Sequence, residues 1–358
     1  MEIIDLAKPI ISNTLKLHGR YYRQNGILWM NFSGSGIEFA FYGTSSSIKI
    51  VATATDDKIH RPYLMIFVDD LAPKKCEINQ PEMEILLVEN LALCHHHIRV
   101  MKISESSSSH VGYRQAETDG SFLLLKEKKK MKVEIYGDSI TNGYGVEAKS
   151  LESPFKTSEE NFALSYAYLF KENLDIDIQI VSASGFPLYR SIYNEDSKIK
   201  TIPDMLNLAS FNSQKNFDET PKWDNHLFIP SLVVIALGTN DGSVGEHNFN
   251  QIGFKKQFLS FVETLYKIYG SKLHILIFEA ILPLPTFVKK AYLEAIKENN
   301  LNIELLESKA ASVGGIMPVG GHPNKEMHRY AANELSDYIN KNYLLLKNKE
   351  ADPIIPES

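Results

Sequence analysis

Cysteine is nearly missing from this chain: Cys76 and Cys94 are the 2 in 358 residues. That excludes a disulfide framework, and their spacing fits no metal site, so one bridge between them is all that is left open. Long apolar runs are missing too, with no stretch near the roughly 18 apolar residues of a membrane span. The amino terminus, MEIIDLAKPIISNTLKLHG, has early acids and no apolar segment of signal-peptide length. The expectation is therefore a cytoplasmic chain with no membrane partner, with non-classical secretion left open. Positive charge is not in excess: 38 Lys and Arg stand against 44 Asp and Glu, a formal net charge of −6. The only basic tract is KEKKK at 126–130, so no nucleic-acid partner is expected. Low complexity is confined to SESSSS at 104–109, and no internal repeat is visible.

What is present is an ordinary globular composition, 44% apolar and 23% charged, which excludes disordered, collagenous and fibrous chains. The length exceeds what one core usually supports, so two domains are expected. From about residue 18 to 125 short apolar runs alternate with period two between turn residues, the pattern of an antiparallel all-β unit. Ile37, Phe39 and Phe41 share one face of a strand, and Ile48, Ile50 and Ala52 repeat the pattern. Further strands are expected at 63–68, 84–88 and 98–103, and a small β-sandwich or jelly roll fits them.

After the basic tract, strands alternate with helices, which is the pattern of a parallel α/β sheet. The runs 132–136, 177–181, 232–237 and 273–278 read as β-branched or aliphatic strands without alternation, as expected of strands buried on both faces. Phe254, Phe258, Phe261 and Leu265 fall on one face of a helix starting near Gln251, and a last helix is expected from Asn324 to about 346. The expected domains are 1–126 and 127–348, with a tail at 349–358. The polar connection 211–225 is long enough to suggest a functional loop.

Four strand or helix ends carry candidate chemistry. GDSITNGYG at 137–145 follows a strand, which exposes Ser139 where open α/β sheets bind ligands. Ser139 is the candidate nucleophile, and its backbone N–H is a candidate oxyanion donor. Taken alone, the motif equally describes an Asp/Ser helix cap. SASG at 182–185 places Gly185 as a second donor, its backbone free to bend without a side chain in the way. ALGTND at 236–241 offers the Asn240 amide as a third. VGGHPNKEMH at 319–328 precedes the last helix, and His322 is the candidate base, since an imidazole titrates near neutral pH. His328 lies within the helix, where a capping or surface role is expected.

Ser139, Gly185, Asn240 and His322, in these contexts, resemble the four signature blocks of the SGNH (GDSL-type) hydrolases. RYYRQNGILWMNFSGSGIEFAFYGT (20–44), HIRVMKISE (97–105), ENFALSYAYL (160–169) and PKWDNHLFIPSLVVIALGTND (221–241) extend the resemblance to carbohydrate esterase family 2, across nearly the whole chain. The resemblance implies a jelly roll followed by a three-layer α/β SGNH domain. It also implies O-deacetylation of acetylated saccharides such as xylan, glucomannan or derived oligosaccharides, through an acetyl-serine and with no metal or organic cofactor. No obligatory protein partner is implied. One departure stands out: where many SGNH enzymes carry an Asp three residues before the histidine, this chain has Val319, followed by Gly320 and Gly321. The expectation is a Ser–His dyad with a backbone carbonyl near Gly320 orienting the ring; Glu326 and Asp241 are the distant acids that a relocated third member would use.

Tyr144, Phe186 and Trp223 are candidate substrate-lining residues, with Trp223 placed at the cleft rim; each also reads as packing. Trp29 has the same two readings. His95, His96 and His97 suggest a metal only weakly, for want of a carboxylate or cysteine partner. Two other function classes remain in view: a short-chain carboxylic-ester or lipid esterase, and a carbohydrate-binding protein with vestigial catalytic machinery.

Overall fold

A computed structural model describes residues 1–9, 13–126, 129–213, 215–315 and 317–344. The expected tail at 349–358, the end of the helix expected to reach 346, and residues 127 and 128 of the basic tract lie outside the described residues.

Two antiparallel six-stranded sheets face each other in the first part of the chain. In one, Val111–Thr118 lies between Ile27–Trp29 and Ser46–Ala52, so strands distant in sequence are neighbours. In the other, Gly36–Gly43 pairs with Cys94–Lys102. Period-two alternation drives this arrangement: Ile37, Phe39 and Phe41 are fully buried between the sheets with Ile48 and Ile50. Strands Tyr63–Val68 and Glu82–Val88 match expectation, whereas the strand expected from 98 starts at Cys94. Three successive histidines hide the alternation there, yet each finds a partner. His95 meets Tyr42 edge-on, His96 contacts Asp69 at 2.7 Å, and His97 contacts Glu38 at 3.0 Å. Among the described residues no group of three or more His, Cys, Asp or Glu could hold a metal, and Cys76 and Cys94 are both free thiols. Trp29 is half-buried and stacks on Tyr22.

The second part is a five-stranded parallel sheet: β1 (Lys132–Gly137), β2 (Asp177–Ser182), β3 (Leu232–Ala236), β4 (His274–Glu279) and β5 (Glu304–Glu307), in spatial order β2-β1-β3-β4-β5. The helices are α1 (Ser139–Asn142), α2 (Tyr166–Leu174), α3 (Gln251–Tyr269), α4 (Thr286–Glu298) and α5 (Lys325–Ile339). Alternate residues of β3 serve opposite cores. Val233 and Ile235 join Phe254, Phe258, Phe261 and Leu265 of α3, while Leu232 and Val234 join residues of α2 and α5. This two-sided burial is why β3 reads as an unbroken apolar run. No helix among the described residues is long and apolar enough to cross a membrane.

Arg20, from the sandwich, joins the two parts. It is fully buried; Nη1 donates to the carbonyls of Met205, Leu206 and Leu208, and Nη2 to Glu134 Oε1 at 2.8 Å. Glu134, on β1, also accepts from Gln179, Tyr136 and Tyr269. Removing the guanidinium strands a buried carboxylate, so Arg20→Met is expected to lower unfolding free energy by about 3–5 kcal/mol. Denaturant titration checks this, and a loss below about 1 kcal/mol, the range of a surface pair, would refute it.

Trp223 belongs to this joint and not to a cleft rim: it is buried, edge-on to Tyr21 at 5.5 Å, with the Arg20 guanidinium over its ring. The 211–225 connection packs against the sandwich in the same way, the Phe211 carbonyl accepting from Ser106 Oγ and His110 Nε2.

Candidate active site

Strand register decides where the site forms. Gly137 of β1 is level with Ser182 of β2 and Ala236 of β3, so all three carboxyl ends reach one edge together. The order β2-β1-β3 places a topological switch point there, where open α/β sheets leave a crevice. Ser139, Gly185 and Asn240 follow these strand ends.

Asp138 caps α1, accepting the Ile140 N–H at 3.0 Å, and Ser139 is the first helical residue. As such its backbone N–H has no intrahelical partner. Gly185 has φ +80, where an L side chain is strained, and a Cβ there would lie 3.0 Å from Tyr193 Cβ. The Asn240 amide nitrogen donates to Asp138 Oδ2 at 3.1 Å and to the Phe186 carbonyl at 3.2 Å. Both amide hydrogens are thus engaged, and serving an oxyanion requires exchanging one of these two acceptors for it.

His322 arrives from the turn before α5. Its Nε2 is 2.8 Å from Ser139 Oγ, and its Nδ1 is 3.1 Å from the Val319 carbonyl. The ring-orienting carbonyl is therefore that of Val319, not Gly320: the 3₁₀ turn Val319–Gly321, with Gly320 at φ +65, folds the ring back over Val319. The expected acids lie elsewhere. Glu326 pairs with Arg329, and the Asp241 carboxylate accepts the N–H groups of Leu188, Tyr189 and Arg190, fixing the loop after Gly185. His328 is fully buried, so a surface role is excluded; its Nδ1 accepts the Tyr166 N–H and caps α2.

Burial sets the protonation pattern. It holds His322 below its ordinary 6.5, the Val319 carbonyl opposing only in part. Burial also pushes the Asp138 carboxyl up to about 7, with the Asp241 charge adding to it. Asp241 itself is pushed up to about 6 by burial, against the three N–H groups it accepts.

Tyr144 stacks on Phe155 with ring centroids 4.0 Å apart, lies 4.3 Å from the His322 ring, and lines an open cleft of about 400 Å³ together with Phe155. The sandwich contributes His60, Glu105, Ser107 and Ser108 to the lining of the same cleft. Phe186 does not line the site with its ring, which is buried edge-on against Phe211; its carbonyl is what the Asn240 amide holds. Sequence reasoning missed Phe155, Tyr193 and Glu105, because an aromatic in a loop and a lone acid in a serine tract carry no periodic signal.

A GDSL-like lipase/acylhydrolase family model matches residues 133–335, the span that carries all four site residues. The chain belongs to this family. Ahead of that span, residues 17–126 match the carbohydrate esterase 2 N-terminal family. This GDSL-type chain is 30% identical over 213 residues to the cellulase/esterase CelE of Acetivibrio thermocellus, covering 59% of this chain and 24% of that protein. It is 35% identical over 211 residues to an acetylxylan esterase / glucomannan deacetylase of Cellvibrio japonicus, covering 58% of this chain and 54% of that one. The chain thus spans about a quarter and about half of the lengths of these relatives. Among solved structures, a family two carbohydrate esterase from Clostridium thermocellum in complex with cellohexaose superposes with a TM-score of 0.77 at 25% identity, over 91% of this chain and 98% of that one.

Proposed function

We propose that the chain is a serine esterase that removes O-acetyl groups from acetylated carbohydrates through an acetyl-serine intermediate. The observation that carries the reading is the 2.8 Å contact between His322 Nε2 and Ser139 Oγ at the sheet's switch point. Ser139 Oγ attacks the acetyl carbonyl while His322 Nε2 takes its proton. The tetrahedral oxyanion accepts from the N–H groups of Ser139 and Gly185 and from the Asn240 amide. Collapse expels the sugar oxygen, which His322 protonates. Water, deprotonated by the same ring, then hydrolyses the acetyl-serine to acetate. The Val319 carbonyl orients the ring as a dipole without carrying a full charge, so Ser139 and His322 act as a dyad.

The saccharide is supported by what the relatives are named for and by the cellohexaose complex of the C. thermocellum enzyme. The cleft lined by Tyr144 and residues of the sandwich provides room for it. Acetate release from acetylated xylo- and manno-oligosaccharides, beside a soluble aryl acetate, tests the reading. Cleavage of the sugars supports it, cleavage of the aryl ester alone points to another ester class, and no cleavage points to a binding protein.

Two consequences are measurable. Because burial lowers the His322 pKa, the free base required for attack persists into mild acid. The acid limb of kcat/KM that reports His322 is expected to have its midpoint below 6.5. A limb centred above 7 would show that the imidazolium is stabilised, as by a carboxylate. Replacing Asn240 by Ala removes one oxyanion donor, for which kcat is expected to fall by about 10²–10³. Steady-state kinetics that show less than about a threefold change would remove Asn240 from the oxyanion hole.

A further inference from the structure

Glu105 belongs to the sandwich, in the connection between strands Cys94–Lys102 and Val111–Thr118, yet its side chain ends in the site of the other domain. Its backbone is clamped at both ends: the N–H donates to Glu160 Oε2 at 3.0 Å, and the carbonyl accepts from Lys102 Nζ at 2.9 Å. Glu105 is 3% exposed, and one side-chain oxygen, Oε2, accepts both the Ser184 N–H at 2.8 Å and Asn142 Nδ2 at 3.1 Å. Asn142 ends the nucleophile helix α1, and its own oxygen accepts from Ser182 Oγ at 2.5 Å, at the end of β2. Ser184 immediately precedes Gly185. On the far side of Gly185, the Phe186 carbonyl is held by the Asn240 amide at 3.2 Å. The peptide that carries the Gly185 N–H is thus flanked by two side-chain clamps, one of them charged and supplied by the sandwich.

We propose that Glu105 is a positioning residue for ester cleavage: its carboxylate ties the 182–186 loop to the nucleophile helix and so holds the Gly185 N–H in the oxyanion position before substrate arrives. This rests on the reading of Ser139 and His322 as an esterase pair. The physical reason is preorganisation. A donor already aimed at the developing charge costs nothing to reorient in the transition state, and a charged acceptor fixes backbone N–H groups more firmly than a neutral one. The arrangement makes oxyanion stabilisation a joint property of both domains, because nothing within 127–348 replaces the Glu105 carboxylate at the Ser184 N–H among the described residues.

Glu105→Gln keeps the size and removes the charge, Glu105→Asp keeps the charge and withdraws it by one methylene, and Glu105→Ala removes both. Active sites are counted by titration with a fluorophosphonate that labels Ser139, so that rates refer to folded, competent enzyme. Per titrated site, kcat for an aryl acetate is expected to fall about 10–100-fold in Glu105→Gln and Glu105→Ala, a part of what one missing oxyanion donor costs. Glu105→Asp is expected to fall between them and wild type, and KM to move by less than about threefold in all three. Affinity for a boronic acid, whose adduct with Ser139 is tetrahedral, is expected to weaken by the same factor as kcat/KM. A residue that serves folding alone would lower the titrated fraction and the denaturation midpoint while leaving per-site kcat and boronate affinity at wild-type values, and that result overturns the proposal. Should Glu105→Ala not fold, the near-isosteric Gln and Asp variants decide between the two. Wild type without Ser139-dependent turnover would instead defeat the esterase reading, and the inference with it.

Discussion

Replacing Ser139 by Ala is expected to lower kcat on an acetylated oligosaccharide by on the order of 10⁶-fold, the scale of nucleophile loss in a serine hydrolase. The fold should survive, because Ser139 Oγ bonds to His322 alone among the described residues and the α1 cap is made by Asp138. The substitution exchanges a hydroxyl for hydrogen at a buried position without adding volume. Binding of a saccharide that lacks the acetyl group should therefore persist, as calorimetry on the same variant can show. Loss of both binding and activity would mean that the fold, and not the chemistry, was damaged.

The second large effect is expected at the base. His322→Ala should reduce kcat to about the level of Ser139→Ala, and the double variant should be no slower than either single one, since two groups that act as a unit lose their function together. Exogenous imidazole is expected to restore part of the rate to His322→Ala and none to Ser139→Ala. A double variant slower than both by the product of the single effects would show two independent contributions and contradict a shared proton transfer. Non-additivity is the sharper test here, because Nδ1 of His322 faces a carbonyl and not a carboxylate. With no anion behind it, all of the base's function lies in the pair itself.

Much of this site is legible in the sequence, for a physical reason. β1, β2 and β3 are short strands rich in Val and Ile, and a residue set at the end of such a strand has only one edge on which to emerge. The register that levels Gly137, Ser182 and Ala236 then brings Ser139, Gly185 and Asn240 together without further instruction. The Val319 position is legible as a missing acid. Which carbonyl replaces it is not, because that depends on the φ of Gly320 and on how tightly the turn closes. Trp223 and Phe186 each carry two readings in the sequence for a common reason: a large aromatic beside a motif residue looks the same whether it faces a cleft or a core, and here both rings pack against other aromatics in the core. Glu105 was invisible because its partners, Ser184 and Asn142, lie in the other domain, and a long-range bond to a backbone N–H leaves no local pattern.

The central claim is that chemistry runs through an acetyl group carried on Ser139. The most direct measurement is to acid-quench the enzyme during turnover of an activated acetyl ester and map its peptides by mass spectrometry. The account predicts a transient acetyl group on the peptide that carries Ser139, absent from Ser139→Ala and decaying at the rate of turnover. Full turnover with no acetylated Ser139, or with the acetyl group on another residue, would contradict it.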